Sequence, residues 1–128
     1  MIIIIDTNIL ISALISDSTI REIVLFSGLD FYYPEKSLQE IRKHEKLILE
    51  KSGLSEKEFK GLLSKLLEYV QLIPTEEIKD HLEEAMSIMS RIDPDDVIFI
   101  AAALDYPDSI IWSDDRHFDR QSRIKTVK

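Results

Sequence analysis

The chain contains no cysteine and no long apolar run, and both absences narrow its function. Without cysteine it can form neither a disulfide bond nor a thiolate zinc site. A membrane-spanning helix needs about 20 consecutive apolar residues, and no charged-then-apolar leader precedes Asp6. With 128 residues, of which 45% are hydrophobic and 31% charged, the composition predicts a single cytoplasmic domain over residues 1–128.

Basic residues are scarce as well, because the net charge is −8. This deficit argues against a simple phosphate-binding surface, since backbone contacts to nucleic acid come mainly from Lys and Arg. The charge is uneven: residues 116–128 carry five basic residues and one acid, a net of +4, which leaves −12 on the first 115. A basic tail beside an acidic cleft could follow a polyanion, although such a run is more often a solvated surface.

Short β-branched and aromatic runs alternate with helical patterns along the whole chain. This alternation predicts a parallel α/β layer structure. In one segment, Ser55 and Glu58 form the capping-box pattern of a helix N-terminus. In another, Leu82, Ala85, Met86 and Met89 share one predicted buried side of a helix that opens at Pro74. We expect strands over 2–5, 30–33, 70–73, 109–112 and 124–127, and helices over 8–15, 19–27, 37–51, from 55, from 74 and over 94–104.

Two of the predicted strands are followed directly by acidic residues. Asp6 comes after the run 2–5, and Asp114 and Asp115 come after 110–112. Parallel α/β sheets bind ligands at the carboxyl ends of their strands, so the two runs point to one place. A helix N-cap needs only one polar residue, whereas Asp6 is followed by Thr7 and Asn8, which favours a site role for Asp6. Spacing alone does not separate Asp114 from Asp115.

Glu40 is a third candidate, on the helix predicted to begin near residue 37. Its position relative to Ser37 also fits a capping box, in which the Glu side chain bonds to the cap amide. Glu35, Glu45 and Glu50 are nearby acids that the spacing leaves open.

Asp96 is the fourth candidate and lies among three acids around a proline. Asp93 is the natural N-cap, with Pro94 in the first helical position. Asp96 would then share a stripe with Ile100 and Ala103, at spacings of four and seven residues. A residue on a core-facing stripe faces the sheet, so Asp96 is the site candidate and Asp93 the structural one.

The repulsion among gathered carboxylates indicates a metal ion. Two carboxylates 4 Å apart repel by about 4 kcal/mol at an effective dielectric constant near 20. Three or four of them would cost on the order of 10 kcal/mol, comparable to the stability of a whole domain. Such a cluster must protonate in part or bind a cation, and oxygen ligands favour Mg²⁺ or Mn²⁺.

Four sequence blocks in this order resemble a PIN domain. They are a hydrophobic strand with Asp-Thr-Asn, a helix carrying Glu, Asp-Val-Ile-Phe-Ile-Ala-Ala-Ala-Leu, and Ile-Trp-Ser-Asp-Asp-Arg-His-Phe. The resemblance covers essentially the whole chain and implies a three-layer α/β/α fold with a central, mainly parallel sheet of four to five strands. Matched block by block, it implies Asp6, Glu40, Asp96 and Asp115 as the acids that bind Mg²⁺ or Mn²⁺, with Asn8, Ser113 and Asp114 as supporting residues.

The resemblance also implies an activity and partners. PIN domains cleave RNA, and some cleave structured DNA, so we expect an endoribonuclease that hydrolyses phosphodiester bonds with a metal-activated water. Many small members are toxins of toxin–antitoxin pairs, so an antitoxin-like protein partner and a homodimer are expected besides the RNA substrate, and no membrane. The alternative is a catalytically inactive PIN-like domain that binds protein or nucleic acid.

Overall fold

The strands predicted from the sequence form one parallel sheet. The structure is a computed structural model that describes residues 1–15, 18–89, 96–114 and 124–127. Within these residues the sheet has five strands: β1 (Ile2–Ile5), β2 (Asp30–Pro34), β3 (Val70–Ile73), β4 (Ile110–Trp112) and β5 (Thr126–Val127). Their order in the sheet is β3-β2-β1-β4-β5, and every neighbouring pair is parallel.

The strand order puts a topological switch point between β1 and β4. The chain passes from β1 to β2 and β3 on one side, and then returns to β4 and β5 on the other. In open α/β sheets the crevice outside the carboxyl ends of the strands at such a point is where ligands bind. Ile5 pairs with Trp112, so Asp6 and Ser113 are the first residues past the two strands at this point.

Helices cover the sheet as the three-layer α/β/α prediction requires. The described helices are α1 (Thr7–Ile15), α2 (Ser18–Phe26), α3 (Leu38–Lys43), α4 (Glu45–Ser52), α5 (Glu56–Leu67), α6 (Thr75–Ile78), α7 (Leu82–Met89) and α8 (Val97–Asp105), with 3₁₀ turns at Glu35–Ser37 and Lys79–His81. The helix α1 contacts α2, α4 and α5, whereas α8 contacts α6 and α7 and also the strands β1, β2 and β4.

The core consists of the apolar strands and the inner faces of the helices. Ile4 and Ile5 in β1 are fully buried, as are Ala101 and Ala102 in α8. Small alanine side chains allow α8 to approach the sheet closely, because little volume separates the two backbones. This close packing fixes the start of α8, and therefore Asp96, relative to the strand ends.

Two helices that the sequence predicts as continuous are broken. The helix predicted over 37–51 is interrupted at His44, which ends α3 and precedes α4. The helix predicted from Pro74 is interrupted by the 3₁₀ turn at Lys79–His81. Within α7 the buried face is narrower than the sequence predicts, so the prediction that Met86 is buried is wrong: the residue is 54% exposed, whereas Ala85 is buried. None of the described helices is long and apolar enough to cross a membrane.

Candidate active site at the β1 and β4 strand ends

Asp6 is held at the switch point by its backbone and by its side chain. Its amide donates to the carbonyl of Trp112 at 3.0 Å, and its own carbonyl accepts from the amides of Ile9 and Leu10 in the first turn of α1. The side chain is used differently, because Oδ2 accepts a 2.7 Å hydrogen bond from Ser113 Oγ. The residue is only 4% exposed. Asp6 therefore begins a helix through its backbone and presents a buried carboxylate next to β4.

Ser113 is fixed as well, because it forms hydrogen bonds to residues on both sides of β4. Its amide donates to the carbonyl of Val127 in β5 at 2.9 Å, while its hydroxyl donates to Asp6. The side chain is buried. Ser113 therefore has little freedom to turn away from the Asp6 carboxylate.

A chain of hydroxyl groups connects the start of α1 to the segment that carries Glu40. Tyr33 OH donates to the carbonyl of Ser37 at 2.8 Å and lies 2.8 Å from the Thr7 hydroxyl. Since the tyrosine has one proton to donate, the Thr7 hydroxyl is the donor in the second bond. All three residues are buried. The residue after Asp6 is thus tied to the 3₁₀ turn that precedes α3.

The electrostatics of Tyr33 show that two of the predicted acids lie near its hydroxyl. Burial raises the pKa of the Tyr33 hydroxyl well above its ordinary value, the hydrogen bond from Thr7 lowers it, and the charges of Glu40 and Asp6 raise it further. Both carboxylates therefore act on one buried hydroxyl, although 34 positions separate them in the sequence (40 − 6).

Glu40 lies on α3 and is half-buried. The capping box that competes with a site role for Glu40 does not form, because the Ser37 side chain makes no capping hydrogen bond. The Ser37 hydroxyl is instead buried, with no hydrogen-bond partner among the described residues. Of the alternative acids, Glu35 is exposed and Glu45 is half-buried on α4, and neither contributes to the pKa shift of Tyr33.

Asp96 immediately precedes α8 and is 7% exposed, with a buried Oδ2. It occupies the N-cap position of α8, whereas the sequence predicts that Asp96 lies in the first turn of a helix capped by Asp93. Its side chain makes no capping hydrogen bond. One turn later, the Phe99 ring packs against Tyr33, with 6.2 Å between the ring centroids. This ring contact packs the first turn of α8 against β2.

The remaining predicted site residues are either exposed or outside the described part of the chain. Asn8 is exposed in the first turn of α1, and Asp114 is exposed after β4. Asp115 lies outside the described residues, as do Asp93 and Pro94. The supporting roles predicted for Asn8 and Asp114, and the ligand role predicted for Asp115, therefore stay predictions.

The donor atoms near the strand ends suit a hard cation, although they do not form a complete cluster. Within the described ranges, no three His, Asp or Glu side chains come together as a metal-binding group. The donors that are present are oxygens, from the carboxylates of Asp6, Glu40 and Asp96 and the hydroxyl of Ser113. Buried carboxylates are costly unless a cation or hydrogen bonds compensate their charge, and oxygen ligands fit Mg²⁺ or Mn²⁺.

Sequence reasoning missed Tyr33 and Thr7. The sequence predicts Tyr33 only as part of a strand, and Thr7 only as one of three polar residues after β1. The signal in the sequence is weak: a tyrosine in the last part of a buried strand must find a hydrogen-bond partner for its hydroxyl. A polar residue directly after a neighbouring parallel strand is a natural partner at that edge.

A parallel sheet with order β3-β2-β1-β4-β5, a buried aspartate directly past β1 and a second one at the start of α8 define an α/β protein with a candidate metal site. A family model described as PIN domain matches residues 4–124. The chain belongs to the PIN-domain family. No curated protein matches the chain in sequence.

Among solved structures, the chain is similar to one in the crystal structure of VapBC2 from Rickettsia felis bound to a DNA fragment from their promoter. The TM-score is 0.73 at 16% sequence identity, and the match covers 99% of this chain and 98% of that one. At this identity the likeness concerns the fold, which it supports over nearly the whole length of both chains.

Proposed function

We propose that this chain is an endoribonuclease that depends on Mg²⁺ or Mn²⁺. The observation that carries the proposal is the buried Asp6 carboxylate, held by Ser113 at the switch point of a PIN-domain sheet. A carboxylate without catalytic or ligand function has little reason to be buried at the end of a strand, because its desolvation is unfavourable.

Asp6, Glu40 and Asp96 are the described residues that would hold the ion, and Asp115 is the fourth ligand that the family resemblance implies. When bound, the ion supplies an activated water and stabilises the charge that develops on the phosphodiester. The protein contributes fixed ligand positions. Ser113 orients Asp6, and Tyr33 holds the start of α1 against the turn before α3. Such outer contacts keep ligands in place at metal sites.

We further propose that the chain works with an antitoxin-like protein partner and forms a homodimer. PIN-domain membership and the fold similarity to a chain of the VapBC2 complex support the antitoxin-like partner, whereas the homodimer is proposed from the family resemblance alone. Co-expression with the product of a neighbouring short reading frame, followed by size-exclusion chromatography, tests this. We expect a stable complex in which RNA cleavage is suppressed, and separate elution of the two proteins would contradict the proposed partner.

RNA cleavage with and without metal tests the nuclease proposal. Wild-type protein should cleave single-stranded RNA in Mn²⁺ or Mg²⁺, and EDTA should abolish cleavage. Asp6→Asn should lower the rate by at least about a hundredfold, because changes to residues that merely support a metal ligand already cost ten- to a hundredfold. Full activity in Asp6→Asn, or in EDTA, would contradict the proposal. A folded wild-type protein that binds RNA without cleaving it would support an inactive PIN-like binding domain.

A further inference from the structure

A cleft of about 520 Å³ lies beside the candidate active site, between the α3 segment and the start of α8. Its volume falls in the range of pockets that hold small ligands, roughly 300–1,000 Å³. Glu40 is part of the cleft wall, and so is Val97, the residue directly after Asp96. The cleft therefore includes one of the acids assigned to the metal site, Glu40, and begins one residue after another, Asp96.

One wall of the cleft is a polar stripe on the 3₁₀ turn and α3. Gln39, Glu40 and Lys43 lie at helical spacing on α3 and share one of its faces. Lys36 in the preceding turn and His44 at the end of α3 extend this wall. Lys36 and Lys43 make no salt bridge within the part of the chain that the structure describes. In a chain of net charge −8, two such cations beside a site for phosphodiester chemistry are notable. The stripe consists of Lys36, Gln39, Glu40, Lys43 and His44.

The opposite wall is apolar. Leu82, Val97 and Ile98 line it, and all three are half-buried, so each keeps part of its surface open to the cleft. A nucleotide combines a flat base, which favours contact with apolar side chains, and an anionic phosphate, which favours lysine. The two walls together offer both kinds of contact.

Ser37 adds a third feature to the same cleft. It lines the cleft wall and is 2% exposed, and its hydroxyl has no hydrogen-bond partner among the described residues. A buried hydroxyl without a partner is unfavourable unless a ligand or water completes it. Phosphate oxygens and ribose hydroxyls are suitable partners, because they accept or exchange such hydrogen bonds.

We infer that this cleft is a nucleotide subsite for single-stranded RNA, in which Lys36 and Lys43 bind backbone phosphates beside the scissile bond. The base or ribose lies against Leu82, Val97 and Ile98, and Ser37 Oγ bonds to the sugar-phosphate backbone. The inference rests on the proposed function, because it assigns the substrate contacts of the same site. It makes the lysines binding residues and leaves the metal ligands unchanged.

RNA binding in the Asp6→Asn background, in EDTA, tests the subsite without requiring cleavage. The probe is a fluorescein-labelled, mixed-sequence single-stranded RNA, and anisotropy is measured over a range of salt concentrations. Each phosphate contact contributes about −0.7 to the slope of log affinity against log salt for single strands. The double variant Lys36→Gln, Lys43→Gln should therefore show a slope that is shallower by about 1.4. Over a fourfold rise in salt concentration, the affinity of the parent should then fall by a factor about seven times larger than that of the double variant.

Lys57→Gln with Lys65→Gln is the matched control, because both residues are exposed on α5 and the change in net charge is the same. It should leave the salt slope unchanged. Ser37→Ala should weaken RNA binding without changing the slope, and should not lower the thermal stability, since it removes a hydroxyl without a partner. Equal RNA affinity and equal salt slope in the lysine double variant and its control would overturn the proposed subsite. The cleft would then be a site for another occupant, such as a protein segment.

Cleavage by the wild-type protein in Mn²⁺ separates this inference from the proposed function. If wild type cleaves RNA and the lysine variant binds and cleaves like wild type, the subsite is wrong and the nuclease proposal stands. If wild type binds RNA with a lysine-dependent salt slope but does not cleave it, the subsite stands and the nuclease proposal fails. If wild type neither binds nor cleaves RNA, both are overturned.

Discussion

Ser113 Oγ donates a 2.7 Å hydrogen bond to Asp6 Oδ2, although 107 positions separate the two residues in the chain. The contact exists because β1 and β4 are neighbours in the sheet and each residue directly follows its strand. Both side chains are buried, so the bond is shielded from water and holds the carboxylate in one orientation. Ser113, near the C-terminal end of the described chain, thus orients the carboxylate of Asp6 near its beginning.

Ser113→Ala removes the donor to this carboxylate and should lower the free energy of unfolding by about 1.5–3 kcal/mol, the usual range for a hydrogen bond to a charged group. Ser109→Ala is the matched control. Ser109 is buried one residue before β4, and its hydroxyl has no partner among the described residues. Urea denaturation of both variants checks the prediction, and equal losses would show that the Asp6 contact contributes nothing specific.

Tyr33→Phe should destabilise the protein by about 1–3 kcal/mol, because it leaves the Thr7 hydroxyl and the Ser37 carbonyl without their partner. Tyr69→Phe is the control, since that side chain is 48% exposed. Denaturation at neutral pH measures both variants. A loss confined to Tyr33→Phe supports the hydroxyl chain as a link between α1 and α3, and equal losses would contradict it.

The same variant makes a prediction about pH. Burial raises the pKa of Tyr33 above the ordinary value of 10.0, so the folded protein keeps the proton that the unfolded chain loses. The stability that Tyr33 contributes is therefore complete below pH 10.0 and decreases as the pH rises above it. The stability difference between wild type and Tyr33→Phe should narrow from pH 9 toward pH 11. A constant difference across that range would contradict the shift.

Glu40→Gln should weaken Mn²⁺ binding by about tenfold or more while leaving the fold intact, because a glutamine of equal size replaces a half-buried side chain. Glu35→Gln and Glu45→Gln are the matched controls on the neighbouring turns. Calorimetry with Mn²⁺ measures all three. If Glu45→Gln weakens binding and Glu40→Gln does not, the glutamate ligand is Glu45 on α4.

Asp115→Asn should abolish RNA cleavage, whereas Asp114→Asn, a change to a supporting residue, should lower its rate by about ten- to a hundredfold. The prediction follows from the PIN-domain resemblance, which implies Asp115 as a ligand and Asp114 as a supporting residue, and from the exposure of Asp114 after β4. Cleavage rates in Mn²⁺ under single-turnover conditions compare the two variants. The reverse order of activities would exchange their roles.

The strands could be predicted because burial and β-branched composition agree along them. Ile2–Ile5 is a run of isoleucines of which the last three are buried, and its observed bounds match the prediction. The capping box of Ser55 and Glu58 also forms as predicted, with both of its hydrogen bonds present. In these cases the local preference and the tertiary environment favour the same conformation.

The break at His44 could not be predicted, because the apolar pattern continues across it. Ile41 and Ile48 are both buried and lie seven residues apart, a spacing that a continuous helix would also give. The Tyr33 network was missed for a related reason. It joins Thr7 to Tyr33 across 26 positions of the chain, and only the pairing of β1 with β2 brings the two residues together.

The central claim is that buried acids led by Asp6 bind a divalent metal, and unfolding in the presence of Mn²⁺ tests it most directly. A ligand that binds only the folded state stabilises it by about 2.7 kcal/mol at roughly 100 times its Kd. Wild type should gain about this much between EDTA and saturating Mn²⁺, and Asp6→Asn should gain almost nothing. Equal stability of wild type in EDTA and in Mn²⁺ would contradict the claim.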